Sequence, residues 1–79
     1  MSFYRRAAVP TLPLRGDHIT LAQALKVAGF ADSGGQAKHL IRGGSVRVNG
    51  AVETRPGRKL SAGDRITLND EEWTVVAAS

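Results

Sequence analysis

Residues 33–50 read Ser33-Gly34-Gly35-Gln36-Ala37-Lys38-His39-Leu40-Ile41-Arg42-Gly43-Gly44-Ser45-Val46-Arg47-Val48-Asn49-Gly50, and the period of their apolar side chains changes partway through. Ala37, Leu40 and Ile41 recur at helical spacing. Beyond Gly43-Gly44, Val46 and Val48 alternate with Arg47, which is the spacing of a strand. Ser33 with Gln36 three residues later has the form of a capping box, in which each side chain satisfies an unpaired backbone donor at a helix start. Asn49-Gly50 is the pair a two-residue hairpin favours, because both positions need positive φ. A helix over 33–42 therefore runs almost directly into a hairpin. Lys38, His39 and Arg42 fall on the polar side of the helix, with Gly35 close to them. Arg47 points away from Val46 and Val48. Gly34 and Gly35 each cost roughly 1 kcal/mol of helix propensity against alanine. Either a backbone or phosphate approaches the helix start closely, or the loop simply runs one residue further.

Upstream, Thr20 and Gln23 repeat the capping-box pattern, and Leu21, Ala24, Leu25 and Ala28 share one helical face. Gly29 supplies a left-handed stop. Residues 1–16 contain Pro10, Pro13 and Gly16 without sustained periodicity and read as an extended N-terminal arm, with Phe3 and Tyr4 as candidate anchors. Downstream, Val52 and Thr54 begin a return strand, and Arg55-Pro56-Gly57-Arg58-Lys59 is a flexible basic turn. Leu60 returns inward, Ala62-Gly63-Asp64 turns, and Ile66 and Leu68 alternate. Asn69 to Glu72 form an acidic turn, and Trp73 to Ala77 a last strand. Helix, helix, then short strands predicts an α+β fold over 17–77: two short helices packed on one face of a small, mainly antiparallel sheet of four to five strands.

Seventy-nine residues allow one domain with a single thin core. No apolar run approaches the ~20 residues of a membrane helix, and the segment after Arg5 and Arg6 lacks the apolar stretch of a secretory signal. The chain has no cysteine, which removes disulfides, thiolate metal sites and a thiol nucleophile and suits a reducing cytoplasm. His18 and His39 lie 21 residues apart, with no second ligand at metal-site spacing. Asp70, Glu71 and Glu72 sit together in one turn, whereas acid–base pairs need environments that push their pKa values apart. The glycine pairs match neither phosphate-cradling fingerprint. These features argue against an enzyme and against a cofactor, a metal or a small-molecule substrate.

Charge is more informative by position than by total. The net charge is +4, yet residues 34–65 hold seven bases against Glu53 and Asp64. A basic field confined to one segment suits a polyanion. Lys38, His39 and Arg42 on the helix, Arg47 on the strand, and Arg55, Arg58 and Lys59 in the turn are the candidate contacts, since arginine forks to phosphate and lysine supplies a mobile point charge. The competing readings are a solvated face and a module that docks an acidic protein. Trp73 and Phe30 read as core, so the sheet lacks the exposed alternating aromatics that stack single-stranded bases. Recognition of structured RNA by shape and backbone is the better variant. DNA is a weaker option, because the first turn of the helix offers glycines rather than base-reading side chains.

Taken in order, Gly29-Phe30-Ala31-Asp32-Ser33, Gln36-Ala37-Lys38-His39-Leu40-Ile41-Arg42, Gly44-Ser45-Val46-Arg47-Val48-Asn49-Gly50 and Gly63-Asp64-Arg65-Ile66 resemble the RNA-binding domain named after ribosomal small-subunit protein S-four, the αL motif. The resemblance covers Ala24 to Leu68 and is closest to a stand-alone bacterial subgroup. It implies two helices on a small sheet and RNA binding through the second helix and the adjacent hairpin; the expectation is a monomer that binds structured RNA, of ribosomal or transfer type. By position it carries over Gln36, Lys38, His39, Arg42, Arg47 and Asn49, although a hairpin turn alone also explains Asn49. Two positions depart from the family pattern. Gly34 stands where many members have arginine, and Thr20 where many have the arginine of Arg-Leu-Asp.

Overall fold

The two helices start where their caps require. In the computed structural model, which describes residues 11–14, 16 and 18–77, Thr20 Oγ1 accepts from the Gln23 amide at 3.2 Å, and Gln23 Oε1 accepts from the Thr20 amide at 3.0 Å. That reciprocal box opens α1, Leu21–Val27. Gly29 follows at φ 87°, the left-handed stop its position called for. α2 spans Gly34–Arg42, and Ser33 Oγ accepts from the Gln36 amide. The second half of this box differs from expectation. Gln36 Oε1 accepts from the Asp32 amide, at 2.6 Å, one residue before the cap.

Strands β1 (Thr11–Leu14), β3 (Val46–Val48), β4 (Ala51–Val52), β6 (Arg65–Leu68) and β7 (Glu71–Ala77) make one sheet in the order β1-β7-β6-β3-β4. Its pairs are antiparallel except β1 with β7, which run parallel. Strands β2 (Ile19–Thr20) and β5 (Lys59–Leu60) form a separate two-stranded ladder. Leu21, Ala24, Leu25, Ala37 and Ile41 from the helices pack with Val46, Val48, Ile66, Leu68 and Val75 from the sheet in one buried cluster. The helices thus cover one sheet face, as the element order predicts. Phe30 meets Trp73 edge to face, with ring centres 6.0 Å apart.

Three expectations need correction. Residues 11–14 are not part of an arm: β1 is an edge strand whose Leu12 and Leu14 are buried. Pro13 sits there without cost, since an edge strand leaves one side of its backbone unpaired. Residues 1–10, with Phe3, Tyr4, Arg5 and Arg6, lie outside the described residues. Secondly, the acidic turn is shorter than predicted. Asn69 and Asp70 alone make it, both at positive φ, and Glu71 already pairs with Leu68.

The third correction concerns the return strand. The two-residue turn at Asn49-Gly50 pairs Val48 with Ala51 and Arg47 with Val52, so Val52 shares the outer face of Arg47 and is 51% exposed. The next residue then turns inward beside Val46, whose carbonyl accepts from the Glu53 amide at 2.9 Å. Glu53 is the buried charge of the described core, 7% exposed.

Candidate nucleic-acid interface

The polar face of α2 is held out to solvent by the residues beneath it. Ala37 and Ile41 are fully buried, while Lys38, His39 and Arg42 are exposed. Lys38 and Arg42 stand one turn apart and therefore side by side. Among the described residues none of the three forms an ion pair. His39 and Arg42 also occupy the last turn, where positive charge meets the negative end of the helix dipole. Gln36 is exposed, but its carbonyl oxygen is committed to the Asp32 amide. No chain atom crowds the first-turn glycines: a Cβ at Gly34 would meet nothing within 4 Å, and one at Gly35 only Ser33 Oγ at 3.9 Å.

The basic turn after β4 is a different kind of surface. The buried Glu53 carboxylate accepts four hydrogen bonds. Arg55 supplies three, from its amide (3.0 Å), Nε (2.9 Å) and Nη2 (3.2 Å), and Arg58 Nη1 supplies the fourth (3.1 Å). The Arg55 and Arg58 hydrogen bonds lower the Glu53 pKa to about 2, against the opposing effect of burial. The same contacts push the Arg55 pKa further up. The turn was expected to be flexible, yet its backbone is tied to α1. The Arg58 carbonyl accepts from the Leu21 amide at 2.8 Å, and the Pro56 carbonyl from the Ala22 amide at 3.1 Å. These are donors that a helix start leaves unpaired, so the basic turn serves as a backbone cap on α1. Lys59 follows in β5, exposed and paired through its backbone with Thr20.

The hairpin residues divide between the two regions. Arg47 is exposed on the sheet face opposite the helices, with Nη1 3.4 Å from the Gly50 carbonyl. Its position follows from strand alternation, and it does not share a face with the α2 cations. Asn49 is structural. At φ 53° it makes the turn, its Nδ2 donates to Asp64 Oδ1 at 3.1 Å, and its Oδ1 accepts from the Arg65 amide at 2.9 Å. Asp64 is held below its usual pKa, chiefly by the Ser61 amide and also by Asn49. Arg65 is exposed on the outer face of β6.

The chain leaving α2 lies against β4 at the edge of the sheet. A Cβ at Gly44 would lie 4.0 Å from Val52 Cγ1, and Glu53 bonds to Val46, two residues past Gly44. Lys38 and Arg42 lie on α2, Arg55 and Arg58 in the turn after β4, and Lys59 in the separate β2–β5 ladder, while Arg47 is on the sheet face opposite the helices. The missed residue is Glu53. The sequence carried its signal: a two-residue turn at Asn49-Gly50 fixes Glu53 opposite the inward-facing Val46.

Elsewhere on the surface, an open cleft of about 510 Å³ is lined by Pro13, His18, Ile19, Gln23, Lys26 and Val27. Among the described residues that line it there is no carboxylate. Among the described residues no three His, Asp or Glu side chains are placed to hold a metal ion, and no helix is long and apolar enough to cross a membrane.

The S4 domain family matches residues 12–76. Escherichia coli (strain K12) YbcJ is 43% identical over 60 residues, which are 76% of this chain and 86% of that protein. The solution structure of E. coli YbcJ, described as revealing an αL motif involved in RNA binding, superposes with a TM-score of 0.71 at 37% identity, over 98% of this chain and 99% of that one. Small ribosomal subunit protein uS4 of Anaeromyxobacter sp. (strain Fw109-5) is 36% identical over 69 residues, 87% of this chain but 31% of its own. The matched span runs from β1 to β7, through both helices, the Asn49-Gly50 hairpin and the basic turn, and this chain belongs to the S4 domain family.

Proposed function

We propose that this chain binds structured RNA, with ribosomal RNA as its target, and that it does so as a cytoplasmic monomer without catalysing a reaction. The observation that carries the proposal is the α2 face, where Lys38, His39 and Arg42 point to solvent and, among the described residues, no acid pairs with them. Lys38 and Arg42, exposed cations on a rigid element, suit a phosphate backbone, because among the described residues no ion pair must be broken for them to reach it. Arg55, Arg58 and Lys59 are further candidate contacts. Gln36, Arg47 and Asn49 are secondary: Asn49 is occupied at both polar atoms, Gln36 keeps only its amide nitrogen to donate, and Arg47 faces elsewhere. The match to YbcJ, whose structure is reported to carry an RNA-binding motif, supports the same reading.

Crosslinking in cells followed by sequencing of the attached RNA tests the target directly, and ribosomal RNA is the expected product. In vitro, neutralising about five phosphates gives log affinity a slope of roughly −3 to −5 against log salt. Recovery of a protein partner that survives ribonuclease, with no RNA attached, would overturn the proposal.

A further inference from the structure

We infer that Glu53, an acid within the basic surface, is a positioning residue for RNA: it holds the Arg55 guanidinium so that its outer edge is presented to a phosphate. The inference rests on the RNA-binding reading above. Arg55 engages the carboxylate through Nε and Nη2, which is one edge of the guanidinium. A guanidinium has five N–H donors, so the edge formed by Nη1 and the second Nη2 hydrogen stays available. The Arg55 side chain is 75% exposed while that of Glu53 is 9% exposed. The acid is thus covered, and the cation it holds is in solvent.

Two further ties fix the acid. Its amide bonds to Val46, and the turn around it caps α1. The carboxylate also takes Arg58 Nη1 on the oxygen that Nη2 of Arg55 shares. One buried anion therefore orients two arginines on a backbone that is itself anchored. A side chain already held in one geometry loses less freedom on binding than a free arginine. The fork also survives acid well below neutral pH, since the Glu53 carboxyl stays ionised there.

Simple charge counting gives the opposite sign. A carboxylate inside a phosphate-binding surface should repel RNA, and its removal should tighten binding. A fluorescently labelled RNA stem-loop, titrated at fixed salt with the full chain, separates the two. Glu53→Gln is expected to weaken binding roughly three- to tenfold despite adding one unit of net positive charge. Arg55→Lys keeps the charge but cannot fork, and is expected to weaken binding by a similar factor. The double variant should be no weaker than the worse single variant, because both act through one contact.

Glu53→Gln binding as tightly as the parent, or more tightly, overturns the inference. So do losses that multiply in the double variant. Arg55 is largely exposed, so Arg55→Lys keeps the fold even where Glu53→Gln does not, and an Arg55→Lys titration indistinguishable from the parent overturns the inference by itself. Failure of the parent chain to bind RNA at all strikes down the functional reading first and the inference with it.

Discussion

The polar face of α2 and the turn between β4 and β5 both carry cations, and they hold them in opposite ways. On α2 the side chains are free and the backbone beneath them is a regular helix seated on Ala37 and Ile41. In the turn the backbone is irregular, and a buried acid with two arginines supplies the order that a helix would otherwise give. The difference teaches that a count of basic residues does not measure a binding surface. Lys38 and Arg42 offer their full charge to a partner. Arg55 and Arg58 offer a charge partly offset by Glu53, but in a set direction.

The largest effect should come from the free cations. Lys38→Glu with Arg42→Glu reverses two exposed charges and should weaken RNA binding on the order of a hundredfold at about 0.1 M salt, measured by titration. The far-ultraviolet spectrum should stay unchanged. Equal affinity in this variant would move the interface off α2. Asn49→Ala should act in the other currency. It removes the contacts to Asp64 and the Arg65 amide and should cost about 1–2 kcal/mol of stability, read from urea unfolding, with affinity unchanged once the protein is folded.

Acid separates the regions further. The Glu53 carboxyl lies at about 2 in the folded chain against 4.5 in the unfolded one. A depressed carboxyl contributes stability that is complete above the unfolded value and is lost as pH falls from there toward the folded value. The melting temperature should therefore drop between about pH 5 and pH 2, and Glu53→Gln should flatten that drop. The Asp64 carboxyl, also lowered, leaves a smaller residual slope. The smallest effect is expected at Lys38→Gln, an exposed site whose stability change should stay within about 0.5 kcal/mol by thermal melting.

Much of this was legible in the residues, and the rest was not for definite reasons. The helices were readable because Thr20, Gln23, Ser33 and Gly29 mark their ends and because Ala37 and Ile41 keep a helical period. The Asn49-Gly50 hairpin was readable because its turn chemistry is local. β1 was hidden: its alternation is only four residues long and contains a proline, and its partner lies 63 residues away in β7. The free state of Lys38 and the tethered state of Arg55 were equally invisible to composition. What separates them is the inward turn of Glu53, which follows from pairing register rather than from residue type. The expected return strand began at Val52 and Thr54, whereas β4 is Ala51–Val52 and its register sets Val52 outward and Glu53 inward.

The parallel pairing of β1 with β7 has a consequence for how the chain acquires its shape. The strand order leaves β1 a single neighbour in the sheet, and that neighbour is the last of the described strands. Leu12 and Leu14 are therefore synthesised well before the strand that pairs with them. Closure of so long a loop is the slow kind of contact, which makes β7 the latch of the sheet: a nascent polypeptide ending before Glu71 carries both helices and the hairpin but has no partner strand for Thr11–Leu14.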